Sequence, residues 1–403
     1  MERRLRERNP PAGAFTLEAA AGLRALAGSA EQPIVLGYYP RFVTNPYQSL
    51  LYSAVREHGL APVPLSDIER LVELEALRAS GIATLLHLHW LHLVLRDADS
   101  ERDANRLADR FLDRVDRYLA GGGRLAWTVH NILPHDTQFE AAETRLCAEV
   151  AARSSAIHVL AAGTREHVAP LYDLPAERIF HVPHPSYRGA YEDHVSRLDA
   201  RHELGLMPDE LVLAVVGVIR PYKGLDELLE AWDRVDLDGP RRLLIAGAPS
   251  EQPGVDALIE RAALDPRVLI DARKIPADEM QLFLRAADVA VLPYRRALNS
   301  GALMLALTFG LPVIVPAGGG LAESVEPTFS RTFDSGDPAS LVEALREAPK
   351  LATAEASGRA AAAAAALDPT ELSHRFATGL RAMLEPAGVE IARGDPELVA
   401  SRA

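Results

Sequence analysis

Two cationic side chains, Arg220 and Lys223, stand in a short turn between an apolar run and an amphipathic segment. Leu211 to Val216 is apolar and β-branched, which reads as a buried strand. Gly217 ends it. Leu225, Leu228, Leu229 and Trp232 then recur at the spacing of one buried helix face. A strand–turn–helix unit puts its turn at the carboxyl end of the strand, where open α/β sheets bind ligands. The helix amino terminus adds partial positive charge there. Arg220, Lys223 and that terminus suit an anion, and the ligand we expect is the diphosphate of a sugar nucleotide. Taken alone, the turn fits an ordinary crossover with a surface Arg and Lys equally well.

A second turn shifts the balance. Asp288 to Leu292 reads as a strand, and the loop after it ends in Asn299, Ser300 and Gly301. Leu303, Ala306 and Leu307 then mark a helix, stopped by Gly310 and Pro312. Asn or Ser caps a helix, and Gly301 lets a phosphate approach exposed backbone amides. By itself this is no more than a capped helix. Two such turns in one half of the chain favour a shared pyrophosphate site.

The other half offers imidazoles. Strand Arg124 to Val129 delivers His130 and Asn131 into a loop with His135 and Asp136. A histidine there is at a ligand-facing edge, and Asp136 is a candidate base. His87 and His89 alternate on one strand and so share a face. Without a clear third ligand they read as core or cleft-lining residues rather than a metal pair. The strings Asp97–Asp99 and Asp236–Asp238 fall in a charge run and a Gly-Pro loop, so both read as surface and no required metal is expected.

The 403 residues are too many for one ordinary core, so two domains are expected. Strands are expected at 33–38, 84–90, 124–129 and 155–160, then at 211–216, 242–246, 267–270, 288–292 and 312–315, with helices between. That alternation implies parallel sheets covered on both faces. The expected division is an extension over 1–30, a first domain over 31–195, a second over 196–368 and a helix and tail over 369–403. A net charge of −13 argues against a nucleic-acid-binding surface. One cysteine, Cys147, excludes an internal disulfide. No apolar stretch reaches membrane-helix length and no secretory signal is read, so a cytoplasmic protein is expected, with a peripheral membrane contact left open.

The blocks GVIRPYKGLDELLEAW, ADVAVLPYR and LNSGALMLALTFGLPVIVP, followed by GGGLAES, resemble the second half of GT-B glycosyltransferases. They are most similar to the retaining nucleotide-sugar-dependent family four, over about residues 205–345. WTVHNILPH and FHVPHPSY resemble the first half more loosely. The resemblance implies an α/β GT-B fold: two facing Rossmann-like domains with the active site in the cleft. It implies a glycosyltransferase that takes a nucleotide-diphosphate sugar, GDP- or UDP-linked, as co-substrate and needs no other cofactor. The acceptor would be a glycan, a lipid-linked sugar or a small molecule. Lys223 and Arg220 would bind donor phosphates, and His130 would lie over the donor sugar. Gly217, Asn299, Ser300, Gly301, Ala302, Gly319, Gly320 and Glu323 would surround the donor, with Arg273 and Ile275 bordering the base. Asn45, Tyr47, Asn131 and His135 would face the acceptor. Ala297 and Leu305 occupy the places of two family glutamates. Each missing carboxylate removes a charge-assisted hydrogen bond, so donor contacts must be arranged differently. A mannosyltransferase-like subset is similar in this respect. Two other readings stay open: a non-catalytic partner subunit, and a GT-B enzyme of another reaction, such as a pseudoglycosyltransferase or a sugar-nucleotide epimerase. A dinucleotide-binding dehydrogenase is disfavoured, because no G-x-G-x-x-G follows the first strand of either half.

Overall fold

The computed structural model describes residues 14–26, 31–133 and 137–385. Apolar runs alternating with amphipathic helices build two six-stranded sheets, and every strand pair is parallel. The first sheet contains β1 (Ile34–Tyr39), β2 (Leu60–Pro64), β3 (Ala83–Leu88), β4 (Arg124–Val129), β5 (Ala156–Val159) and β6 (Ile179–His181). Its order is β2-β1-β3-β4-β5-β6. The second contains β7 (Leu211–Val216), β8 (Arg241–Ala246), β9 (Val268–Asp271), β10 (Val289–Val291), β11 (Val313–Pro316) and β12 (Ser330–Phe333). Its order is β12-β11-β10-β7-β8-β9, that of a Rossmann fold.

Central parallel strands are covered on both faces, so their sequences are almost continuously apolar. LVLAVV in β7 and VIVP in β11 show this. The strands β2, β6 and β12 were not expected from the sequence. All three are sheet edges. β2 reads LAPVP, and proline, which cannot donate to a ladder, is tolerated at an edge. β6 has only three residues, and β12 carries Arg331 and Thr332.

Helix Pro369–Leu384 belongs to the first domain in space although it follows the second in sequence. Asp368 accepts from the amides of Thr370 and Glu371, and Pro369 takes the first helical position, a sharp helix start. Its buried face, Leu372, Phe376, Ala377 and Leu380, packs with Leu36, Leu51, Val55 and Leu60. Burying Phe376 alone contributes on the order of 2–3 kcal/mol. Ser373 Oγ donates to the Leu51 carbonyl at 2.7 Å and accepts from the Ala54 amide at 2.9 Å. Among the described residues no helix is long and apolar enough to cross a membrane.

Candidate active site

Each sheet has one place where consecutive crossovers leave in opposite directions: between β1 and β3 in the first, and between β7 and β10 in the second. The loops at the carboxyl ends of such strands form a crevice. Here the two crevices face one another and enclose a cavity of about 1000 Å³. Its second-domain wall holds Arg220, Lys223 and the segment Asn299–Ala302. Its first-domain wall holds Asn45, Trp90, His130 and Asn131.

On the second-domain side, residues Pro221–Lys223 make one 3-10 turn before helix Leu225–Arg234. The Lys223 ammonium lies 5.5 Å from the centroid of the Tyr294 ring, over the place where Gly217 ends β7. Among the described residues Lys223 forms no ion pair, whereas the nearby Arg295 is held by Asp226 and Glu227. Lys223 can therefore meet an anion without first leaving a carboxylate. Gly224 joins this turn to the next one. Its φ is +66°, and a Cβ there would lie 2.0 Å from the Pro293 carbonyl oxygen. Gly224→Ala is expected to destabilise the second domain by about 2 kcal/mol or more, from the left-handed backbone plus that overlap. A urea denaturation curve checks this, and an unchanged midpoint would remove the steric argument.

The second turn ends in Ser300, which caps helix Gly301–Thr308 by accepting from the Leu303 amide at 3.2 Å. Ser300, Gly301 and Ala302 line the cavity, so the helix amino terminus opens into it. The residues just before it dock the two domains. Leu298 is buried in the first domain's core, and Asn299 Nδ2 donates to the backbone carbonyl of His130. One loop thus sets both the anion-facing helix end and the spacing of the cleft. Ala297 lines the cavity, whereas Leu305 is buried in the second domain's core.

Several expected donor residues lie elsewhere. Gly319 and Gly320 brace the docking loop from behind, since a Cβ on Gly320 would lie 1.9 Å from the Leu298 carbonyl oxygen. Glu323 accepts from the Gly163 amide at 3.2 and 3.3 Å, and His167 stands 3.7 Å away. This is a contact across the domain seam, outside the cavity lining. Arg273 pairs with Asp271 and Glu279, and Ile275 is buried in the second domain. Neither lines the cavity.

On the first-domain side, His130 stacks on Trp90 with centroids 4.0 Å apart and planes 18° from parallel. Tyr47 meets the His130 ring edge-on at 5.0 Å, but it is fully buried and lies behind the wall rather than on it. Asn45 Oδ1 accepts from the Tyr47 amide at 3.0 Å and from the Tyr187 hydroxyl at 3.3 Å, the latter on the connection between the domains. His135 and Asp136 lie outside the described residues. Trp90, Phe42, Glu143 and Ser250 also line the cavity and were not singled out in the sequence. Trp90 could have been found, because it stands two residues past β3, at the same end of the sheet as His130 after β4.

Burial, and next the neighbouring imidazoles, hold His87, His89 and His130 well below the ordinary histidine value. Burial takes His184 down to about 4 and His158 down to about 3. These five rings are therefore neutral at ordinary pH, and the cations Arg220 and Lys223 stand on the second-domain side of the cavity.

These features are those of a GT-B fold whose second domain presents a cationic turn and a helix amino terminus to the cleft. Residues 196–364 match the family model Glycosyl transferases group 1. The GDP-mannose:glycolipid 4-beta-D-mannosyltransferase of Xanthomonas campestris pv. campestris is 27% identical over 322 residues, covering 77% of this chain and 83% of that one. The D-inositol 3-phosphate glycosyltransferase of Geodermatophilus obscurus is 35% identical over 161 residues, covering 37% of this chain and 36% of that one. The crystal structure of HepE from Anabaena in complex with UDP and glucose aligns with a TM-score of 0.62 at 15% identity, over 90% of this chain and 96% of that one. The chain carries a Glycosyl transferases group 1 domain and is a glycosyltransferase.

Proposed function

We propose that the protein transfers a hexose from a nucleoside diphosphate sugar to a hydroxyl of a glycolipid, with GDP-mannose the first donor to test. The observation that carries this reading is the meeting of two strand–turn–helix units at one switch point. Lys223, Arg220 and the amides at Ser300–Ala302 surround a single cavity opposite His130. The likeness to a GDP-mannose:glycolipid mannosyltransferase over most of both chains supports the choice of donor and acceptor.

In the transfer, the bond from the anomeric carbon to the diphosphate oxygen breaks and a bond to the acceptor oxygen forms. The acceptor hydroxyl loses its proton. Negative charge grows on the departing diphosphate, so cations placed there act mainly in the transition state. Lys223, Arg220 and the helix amino terminus supply that charge, and on this reading no divalent metal is needed. Aromatic side chains on the opposite wall, Phe42 and Trp90, suit the apolar face of a sugar ring. A lipid-linked acceptor would bring the open rim of the cleft to a membrane face, on the cytoplasmic side where the donor is available.

Calorimetry without metal, using GDP, UDP, ADP and TDP and their common sugar forms, tests this. One diphosphate should bind clearly more tightly than the rest, and Lys223→Ala should abolish that binding. Absence of binding across the set would overturn the reading.

A further inference from the structure

Three buried imidazoles stand behind His130, joined to it by an unbroken series of hydrogen bonds. His158 Nε2 is 2.9 Å from the Val182 carbonyl oxygen, and its Nδ1 is 3.1 Å from Thr128 Oγ1. Thr128 Oγ1 is 2.8 Å from His87 Nε2. The Tyr52 hydroxyl lies 2.7 Å from both His87 Nδ1 and His89 Nε2. His89 Nδ1 is 3.1 Å from His130 Nε2. His87, His89, Thr128 and His158 are all buried.

The direction of every bond follows from one end. A carbonyl only accepts, so His158 Nε2 carries the proton and, in a neutral ring, Nδ1 is a bare acceptor. The Thr128 hydroxyl must then donate to His158 and accept from His87 Nε2. His87 Nδ1 is left to accept the single proton of Tyr52. The Tyr52 oxygen therefore accepts from His89 Nε2, and His89 Nδ1 accepts from His130 Nε2. Each of the four rings is protonated at Nε2. Among the described residues no group bonds Nδ1 of His130, and His130 lines the cleft.

We propose that Tyr52, His87, His89, Thr128 and His158 are positioning residues: a one-way hydrogen-bond chain that holds His130 as its Nε2–H tautomer and leaves the Nδ1 lone pair to accept from a hydroxyl of a sugar bound in the cleft. The identity of that sugar hydroxyl rests on the function proposed above; the chain itself does not. It orients rather than conducts, because it ends on a peptide carbonyl that cannot take up a proton. Phe376 stacks on His87 at 5.4 Å and 19° and lies 5.1 Å from His158, closing this polar row off from water. The His130 carbonyl is already engaged by Asn299.

The test reads imidazole ¹⁵N shifts of uniformly ¹⁵N-labelled full-length protein by long-range proton–nitrogen correlation, at neutral pH and without ligand. All four rings are expected in the neutral Nε2–H class. A cationic ring, or His130 protonated at Nδ1, would overturn the assignment whether or not transferase activity is found. Thr128→Val, which cuts the chain at a residue outside the cavity, should move the His130 nitrogen shifts toward tautomer averaging and lower turnover about tenfold. Thr128→Ser, which restores the hydroxyl, should return both. Tyr52→Phe cuts the chain at a second point and should act as Thr128→Val does. Unmoved His130 shifts in a folded Thr128→Val or Tyr52→Phe protein would also overturn it.

Discussion

Lys223→Ala is expected to lower transferase turnover by about 10²–10³-fold, the usual loss when one preorganised donor to a developing negative charge is removed. The physical reason is placement. The ammonium projects into the cavity beside the capped end of helix Gly301–Thr308, and no carboxylate among the described residues neutralises it. Its charge is therefore held for the ligand, and its contribution grows as the diphosphate departs. The fall should appear in kcat as well as in kcat/KM, because the interaction strengthens in the transition state. The melting temperature should stay within a degree or two of the parent, since among the described residues Lys223 is no part of an ion pair or of a buried core. Turnover near the parent value would remove Lys223 from the reaction and leave the cavity without its main cation.

The second large effect is on stability in acid. Five imidazoles, His87, His89, His130, His158 and His184, are buried in the first domain and its seam, and all five have lowered proton affinity in the fold. In the unfolded chain each titrates near the ordinary value of about 6.5. Below that pH the unfolded chain binds protons that the folded chain refuses, so stability is fully present above about pH 6.5 and is lost as pH falls. For His158 the loss continues down to about 3, and for His184 to about 4. Each ring contributes about 1.4 kcal/mol per pH unit in this window. Five together approach about 7 kcal/mol per pH unit, comparable to the whole stability of a domain. Thermal melts at pH 8.5, 7.5 and 5.5 should agree between the first two and fall sharply at the third. Carboxylates held low by arginine, such as Asp116 and Asp265, act only at lower pH and do not blur this window. A flat profile from pH 8.5 to 5.5 would mean that the rings are solvated.

Both turns on the second-domain side of the cavity could be read from sequence, because each depends on local chemistry. A strand-length apolar run, a turn of special residues and a capped helix are encoded within about twenty consecutive positions. The same logic located His130 at the end of β4. What could not be read depends on residues far apart in the chain. Nothing local in HLH distinguishes a metal pair from links in a hydrogen-bond row, since the partners Tyr52, Thr128 and His158 come from other elements. The placement of Tyr47 behind His130, and of Glu323 against Gly163, likewise follows from how the domains meet. The three unread strands are edges, where half the pairing is missing and the apolar signal fades with it.

The return of helix Pro369–Leu384 to the first domain has a consequence for biosynthesis. The apolar groove formed by Leu36, Leu51, Val55 and Leu60 is covered by a helix made only after the whole second domain has been synthesised. At roughly 5–20 residues per second, the ribosome needs about 10–40 s to pass from the end of the first domain to this helix. Throughout that interval the nascent first domain presents an uncovered hydrophobic trough, while the second domain emerges with its own core already encoded. The order of completion is thus reversed relative to the order of synthesis, and the trough is a natural binding surface for a holding chaperone.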